Sequence, residues 1–81
     1  MEKTTLFDVQ EIQNTLVEKT LEEVYEALLE RGYNPINQIV GYLISGDPGY
    51  ISSYKNARSA ISSLERSKIV EIILKDYMNK K

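Results

Sequence analysis

An 81-residue chain with a formal net charge of −2, no cysteine and no histidine is expected to form one domain, without disulfides and without the commonest metal ligands. A domain this small buries only about 60% of the surface its unfolded chain exposes, so self-association is the stabilising device left to it. No basic-then-apolar leader opens the sequence, and no stretch approaches the ~20 apolar residues of a membrane span, which predicts a soluble, cytoplasmic protein with no membrane partner.

The charge is uneven. Residues 1–32 carry eight acids and three bases, a net −5, whereas residues 33–81 carry four acids and seven bases, a net +3. Such a dipolar chain suits docking on itself or on a charged partner, and it equally suits solvated helix faces.

In chain order, Val17, Leu21, Val24 and Leu28 recur at i, i+4, i+7 and i+11, with Leu16, Tyr25 and Ala27 widening the stripe. This pattern predicts a helix with one core face. Asp8 with Glu11 and Thr15 with Glu18 both fit the capping-box spacing at its start, and Gly32 supplies the left-handed residue at its end, with Arg31 at the negative pole of the dipole.

Asn34 then reads as an N-cap and Pro35 as the first residue of a second helix. Its apolar positions Ile36, Ile39, Val40, Leu43 and Ile44 form a complete stripe, closed by Gly46. Asp47 and Pro48 repeat the cap-plus-proline signal, so another turn begins at once. All four glycines and both prolines fall within residues 32–49, where they punctuate two tight helix junctions. Gly41 sits mid-helix, where glycine costs about 1 kcal/mol relative to alanine; this predicts a close crossing by a neighbouring helix of the same or a second subunit.

Residues 54–66 predict a third helix. Tyr54, Ala57, Ala60, Ile61 and Leu64 lie on one side, while Lys55, Arg58, Ser59, Ser62 and Arg66 share a basic, hydroxyl-rich opposite side, which suits solvent or an acidic or phosphorylated partner. From Ser67, an N-cap candidate, the last helix carries Ile69, Val70, Ile72, Ile73, Leu74, Tyr77 and Met78. An apolar arc wider than half the circumference needs cover on several sides, which predicts a two-fold homodimer centred on this helix.

Catalytic chemistry is hard to assemble here. Without histidine or cysteine, the carboxylates, lysines, serines and tyrosines show no recognisable pairing, and neither glycine-rich phosphate-loop pattern is present. Asp47-Pro48-Gly49 lacks the alternating carboxylates of a calcium loop. The expectation is a non-enzyme with no metal and no cofactor. The alternative is a helix-turn-helix-like nucleic-acid-binding module, which the second helix, glycine turn and basic third helix could draw; Lys55, Arg58 and Arg66 alone give it a thin phosphate-neutralising footprint. Residues 1–8 read as a flexible tail offering the hydroxyls of Thr4 and Thr5, ahead of a single helical domain over 9–81.

The stretch GYNPINQIVGYLISGDPGYI at 32–51 closely resembles the signature of the IreB/ReoM family of small Gram-positive regulatory phosphoproteins. The likeness continues through NAR at 56–58 and LERSKIVEIILKDY at 64–77, and VYEALLERG at 24–32 is similar to the family's first-helix ending. The resemblance implies a non-enzymatic, all-α homodimer, a compact and intertwined bundle of about four to five short helices, that is a substrate of the membrane Ser/Thr kinase bearing PASTA repeats. It further implies control of peptidoglycan synthesis and cell-wall antibiotic tolerance through Clp-protease turnover of UDP-N-acetylglucosamine 1-carboxyvinyltransferase, with phosphorylation relieving that control. Thr4, three residues before Phe7, best matches the family's phosphoacceptor, with Thr5 beside it. Read from the residue pattern beside this resemblance, partner contacts are expected at Lys55, Arg58, Ser62 and Arg66, and dimer or core contacts at Gly41, Ile69, Ile73, Leu74 and Tyr77. The family carries arginine where this chain has Ser53 and Ser62. A phosphate on the tail would be captured by the basic face, or would add to the negative N-terminal charge and repel an acidic partner.

Overall fold

Four α-helices follow one another in the computed structural model of the chain, which describes residues 9–80: α1 (Val9–Glu30), α2 (Pro35–Ser45), α3 (Ala57–Ser62) and α4 (Arg66–Asn79). Single 3-10 turns at Pro48–Tyr50 and Tyr54–Asn56 fill the connection between α2 and α3. The described residues contain no strand, so the fold is all-α, although α1 at 22 residues is longer than the short helices expected. Thr15 lies inside α1 and opens no helix; Asp8 lies outside the described residues.

The junctions form as the punctuation dictates. At the end of α1 the Gly32 amide donates to Leu29 O and the Tyr33 amide to Leu28 O, both at 3.0 Å, with Gly32 at φ +84°. This is a Schellman closure, which satisfies carbonyls the helix would otherwise orphan. Two residues later Asn34 Oδ1 accepts the Asn37 amide at 3.1 Å and Pro35 occupies the first turn, so α2 starts without a lost donor. Gly46, at φ +78°, closes α2 through its amide on Tyr42 O, and Asp47 Oδ1 accepts the Gly49 amide at 2.8 Å to start the 3-10 turn.

α1 touches α2, α3, α4 and the Tyr54–Asn56 turn. Its buried row Val17, Val24, Ala27 and Leu28 meets Ile39 and Tyr42 of α2, Ile51 of the connection, Ala57 and Ile61 of α3, and Ile69 and Ile72 of α4 in one cluster. Each fully buried Leu or Ile contributes about 1.5–3 kcal/mol of transfer free energy. Leu21 is only half-buried, and Leu16 and Tyr25 are exposed, so the core stripe of α1 is narrower than its apolar pattern.

Three expectations are corrected. First, the stripe of α2 predicted to face the core mostly faces out: Ile36, Val40 and Ile44 are exposed, because α2 lays only its Pro35–Ile39–Tyr42 edge inward. Second, residues 54–66 are not one helix. Lys55 and Asn56 both take left-handed backbone, at φ 54° and 62°, a strained pair for which asparagine is the better suited residue. Periodicity missed the break because Tyr54 and Ala57 face the core on either side of it. Third, α4 is preceded by Glu65 in extended conformation, and Ser67 lies within its first turn rather than at its cap.

The close neighbour at Gly41 is a side chain rather than a crossing helix. A Cβ built there would lie 2.6 Å from Cδ1 and 2.8 Å from Cζ of Tyr50. The same 3-10 turn is tied down by Gln38 Nε2, which donates to Tyr50 O at 2.9 Å. In a Tyr50→Ala background, Gly41→Ala therefore stabilises the fold by up to about 1 kcal/mol through helix propensity. In the wild-type background it displaces the ring and costs about 1 kcal/mol. Denaturant titration of the four proteins of the double-mutant cycle measures this reversal of sign.

Candidate interaction surface

The basic residues singled out in the sequence do not form one face, because the helix meant to carry them is broken. Lys55, on the left-handed turn, pairs with Glu30 of α1 at 3.2 Å, and its ammonium lies 5.4 Å from the Tyr54 ring centroid. Arg31 covers the same ring at 5.1 Å. Arg58 turns back along its own chain, where Nε donates to Ile51 O at 2.8 Å and its amide to Ser52 O. Ser62 is exposed at the end of α3.

Arg66 does something the sequence did not suggest. Its Nη1 donates to Leu43 O at 3.1 Å, one of the last carbonyls of α2, and its guanidinium lies so close to Gly46 that a Cβ there would be 2.7 Å from Cζ. A cation at that end of α2 complements the helix dipole, and the glycine is what lets the planar group approach. Arg66 thus ties the start of α4 to the end of α2.

An apolar surface is also open to a partner. Ile36, Val40 and Ile44 repeat at i, i+4 and i+8 along the outside of α2, and Val70, Ile73, Leu74, Tyr77 and Met78 stay exposed on α4, with Ile44 at 78% and Leu74 and Tyr77 both at 57%. The two helices adjoin: Leu43 and Val70 line one shared depression, and Ile36, Ile39 and Ile73 another. Exposed apolar surface in one contiguous run marks an interaction site in a soluble protein. Of the positions assigned to dimer or core, Ile69 is wholly buried within the chain, whereas Ile73, Leu74 and Tyr77 look outward.

Electrostatics on this surface come from local pairs. The Lys55 ammonium, followed by a hydrogen bond from Tyr54, holds the Glu30 carboxyl below its usual range, and Glu30 in turn raises Lys55. Lys75 and then Lys68 lower Glu71 in the same way. A depressed carboxyl contributes stability that is present above its unfolded value and lost as pH falls through the lowered folded value; these groups are solvent-exposed, so salt screens the effect. Carboxyl-carbon NMR titration should show Glu30 and Glu71 deprotonating below the usual carboxylate range. Lys55→Met should raise the Glu30 titration, with the Tyr54 hydrogen bond still lowering it, and leave Glu71 where it is.

No helix among the described residues is long and apolar enough to cross a membrane, and no cluster of three acidic residues there is placed to hold a metal ion. Thr4 and Thr5 lie outside the described residues. The profile of the IreB regulatory phosphoproteins matches residues 2–79 of the chain, a span that takes in all four helices, both 3-10 turns and the two threonines. By that near-complete match, this protein belongs to the IreB regulatory phosphoprotein family.

Proposed function

We propose that this chain is a non-enzymatic adaptor that works in the cytoplasm as a homodimer and is switched by phosphorylation of Thr4 or Thr5 by a PASTA-repeat Ser/Thr kinase. The observation that carries the reading is the family match over residues 2–79. The outward apolar faces of α2 and α4 support the dimer, since a second copy offers the same two stripes and a two-fold contact is self-complementary. Downstream, the adaptor controls peptidoglycan synthesis and cell-wall antibiotic tolerance by governing Clp-protease turnover of UDP-N-acetylglucosamine 1-carboxyvinyltransferase.

A phosphate adds about −1.5 to −2 charge at neutral pH. Two routes from that charge to a partner follow. Capture of the phosphate by Lys55, Arg58 or Arg66 would have to compete with Glu30, Ile51 O and Leu43 O, the groups those side chains already hold. Repulsion requires no such exchange: the modified threonines precede α1, which carries six glutamates and one lysine, so the phosphate enlarges an acidic region and disfavours an acidic partner.

Incubation with the organism's own PASTA-repeat kinase, followed by mass-spectrometric mapping, should place phosphate on Thr4 or Thr5, and Thr4→Ala or Thr5→Ala should abolish it at the matching position. Phosphate confined to Ser59, Ser62 or Ser63, or no incorporation, would remove the tail switch.

A further inference from the structure

Along α1, Glu18, Glu22, Glu26 and Glu30 are spaced four residues apart and so stack as like charges on adjacent turns. Each such pair destabilises a helix by about 0.2–0.5 kcal/mol. Only the last of the four is neutralised, by Lys55; among the described residues no cation lies within salt-bridge distance of Glu18, Glu22 or Glu26. Lys55 also feels the charge of Glu26, but among the described residues no ion pair offsets the repulsion between Glu18 and Glu22.

Beside the acidic row runs an apolar one. Leu21 and Tyr25 of α1, Ile36 and Ile39 of α2 and Ile73 of α4 enclose a groove of about 320 Å³, and Glu22 and Glu26 stand on its lip. A second depression continues it between α1 and α4, sharing Leu21, Glu22 and Ile73 and adding Glu18 and Asp76 to the rim. Asp76 pairs with Lys80 at 3.2 Å. The result is a continuous apolar floor edged by carboxylates, three of them unpaired.

We infer that this groove is a docking site for a basic amphipathic helix of another protein. An apolar floor suits the apolar face of an amphipathic helix, as in helix-in-groove recognition, and the lip offers carboxylates to flanking lysines or arginines. Charge selects the occupant. An anionic lipid surface or a nucleic acid would meet Glu18, Glu22 and Glu26 with like charge, and a second copy related by two-fold symmetry about the groove would set one acidic row against another. Ile36 and Ile73 stand where the groove meets the outer face of α2 and α4; the second copy covers the rest of that face, Val40, Ile44, Val70 and Leu74, and the groove site does not depend on which kinase modifies the tail.

The test uses the full-length protein and, as probe, a fluorescein-labelled amphipathic helix of about four turns built from leucine and lysine. Anisotropy should report saturable binding that weakens with added salt and is lost when glutamate replaces lysine in the probe. Glu22→Lys should weaken binding about tenfold, while Glu11→Lys, with the same change in net charge outside the groove, should leave it within about twofold. Because Glu22→Lys turns the repulsive spacings to Glu18 and Glu26 into attractive ones and only the spacing to Lys19 into a repulsive one, the unfolding midpoint should not fall, which separates lost binding from lost folding. Equal weakening by Glu11→Lys, or equal binding of the glutamate probe, would overturn the proposal. So would a halved sedimenting mass on Glu22→Lys, which would assign the groove to a second copy.

Discussion

The three other helices of this fold lean on one face of α1. The row Val17, Val24, Ala27 and Leu28 is the surface on which α2, α3 and α4 converge, and one helix face offers only so much width. Each of the shorter helices therefore gives α1 a single edge: Ile39 and Tyr42 from α2, Ala57 and Ile61 from α3, Ile69 and Ile72 from α4. Among the described residues Ile36, Val40 and Ile44 of α2 and Val70, Ile73, Leu74 and Met78 of α4 are left on the surface. This geometric limit on a small domain, more than any individual contact, makes the protein a binder: its surface displays the apolar side chains that its core cannot accommodate.

The loop between α2 and α3 is held by equally local devices. Asn34 and Asp47 open helical turns and the αL glycines 32 and 46 close helices, while Tyr50 over Gly41, Arg58 on Ile51 O and Arg66 on Leu43 O pin the connection between α2 and α3 from three directions. Two arginines that composition would assign to a charged binding face thus have work inside the fold. Charge free for a partner lies instead on α1, and its sign is negative. Regulation by a phosphate placed just before that helix is consistent with this electrostatic layout, since the added charge acts on a region already acidic.

How much of this was legible in the residues depends on the type of signal. Glycine, proline and capping residues act through backbone chemistry within four positions, so both junctions around α2 could be read from Gly32-Tyr33-Asn34-Pro35 and Gly46-Asp47-Pro48. Apolar periodicity gave the helices but not the side each would turn inward: Ile36, Val40 and Ile44 make as good a core stripe as Ile39 and Tyr42 until the narrow face of α1 chooses. The left-handed pair Lys55–Asn56 was invisible for a different reason, since a break of that length preserves the inward register of Tyr54 and Ala57. The acidic row at 18, 22, 26 and 30 was readable from spacing alone. The apolar groove beside it was not, because its walls come from three helices. Family likeness, resting on long stretches such as 32–51 and 64–77, reached the regulatory role that neither spacing nor geometry could supply.

The central claim is that the outer apolar face of α2 and α4 is covered by a second copy of the chain. Sedimentation equilibrium of the unmodified protein at micromolar concentration tests it most directly. The account predicts a mass twice the 9.3 kDa of one chain, falling to that of a single chain when Leu74→Asp places a charge in the middle of the face. A single-chain mass for the wild type across the micromolar range would contradict it.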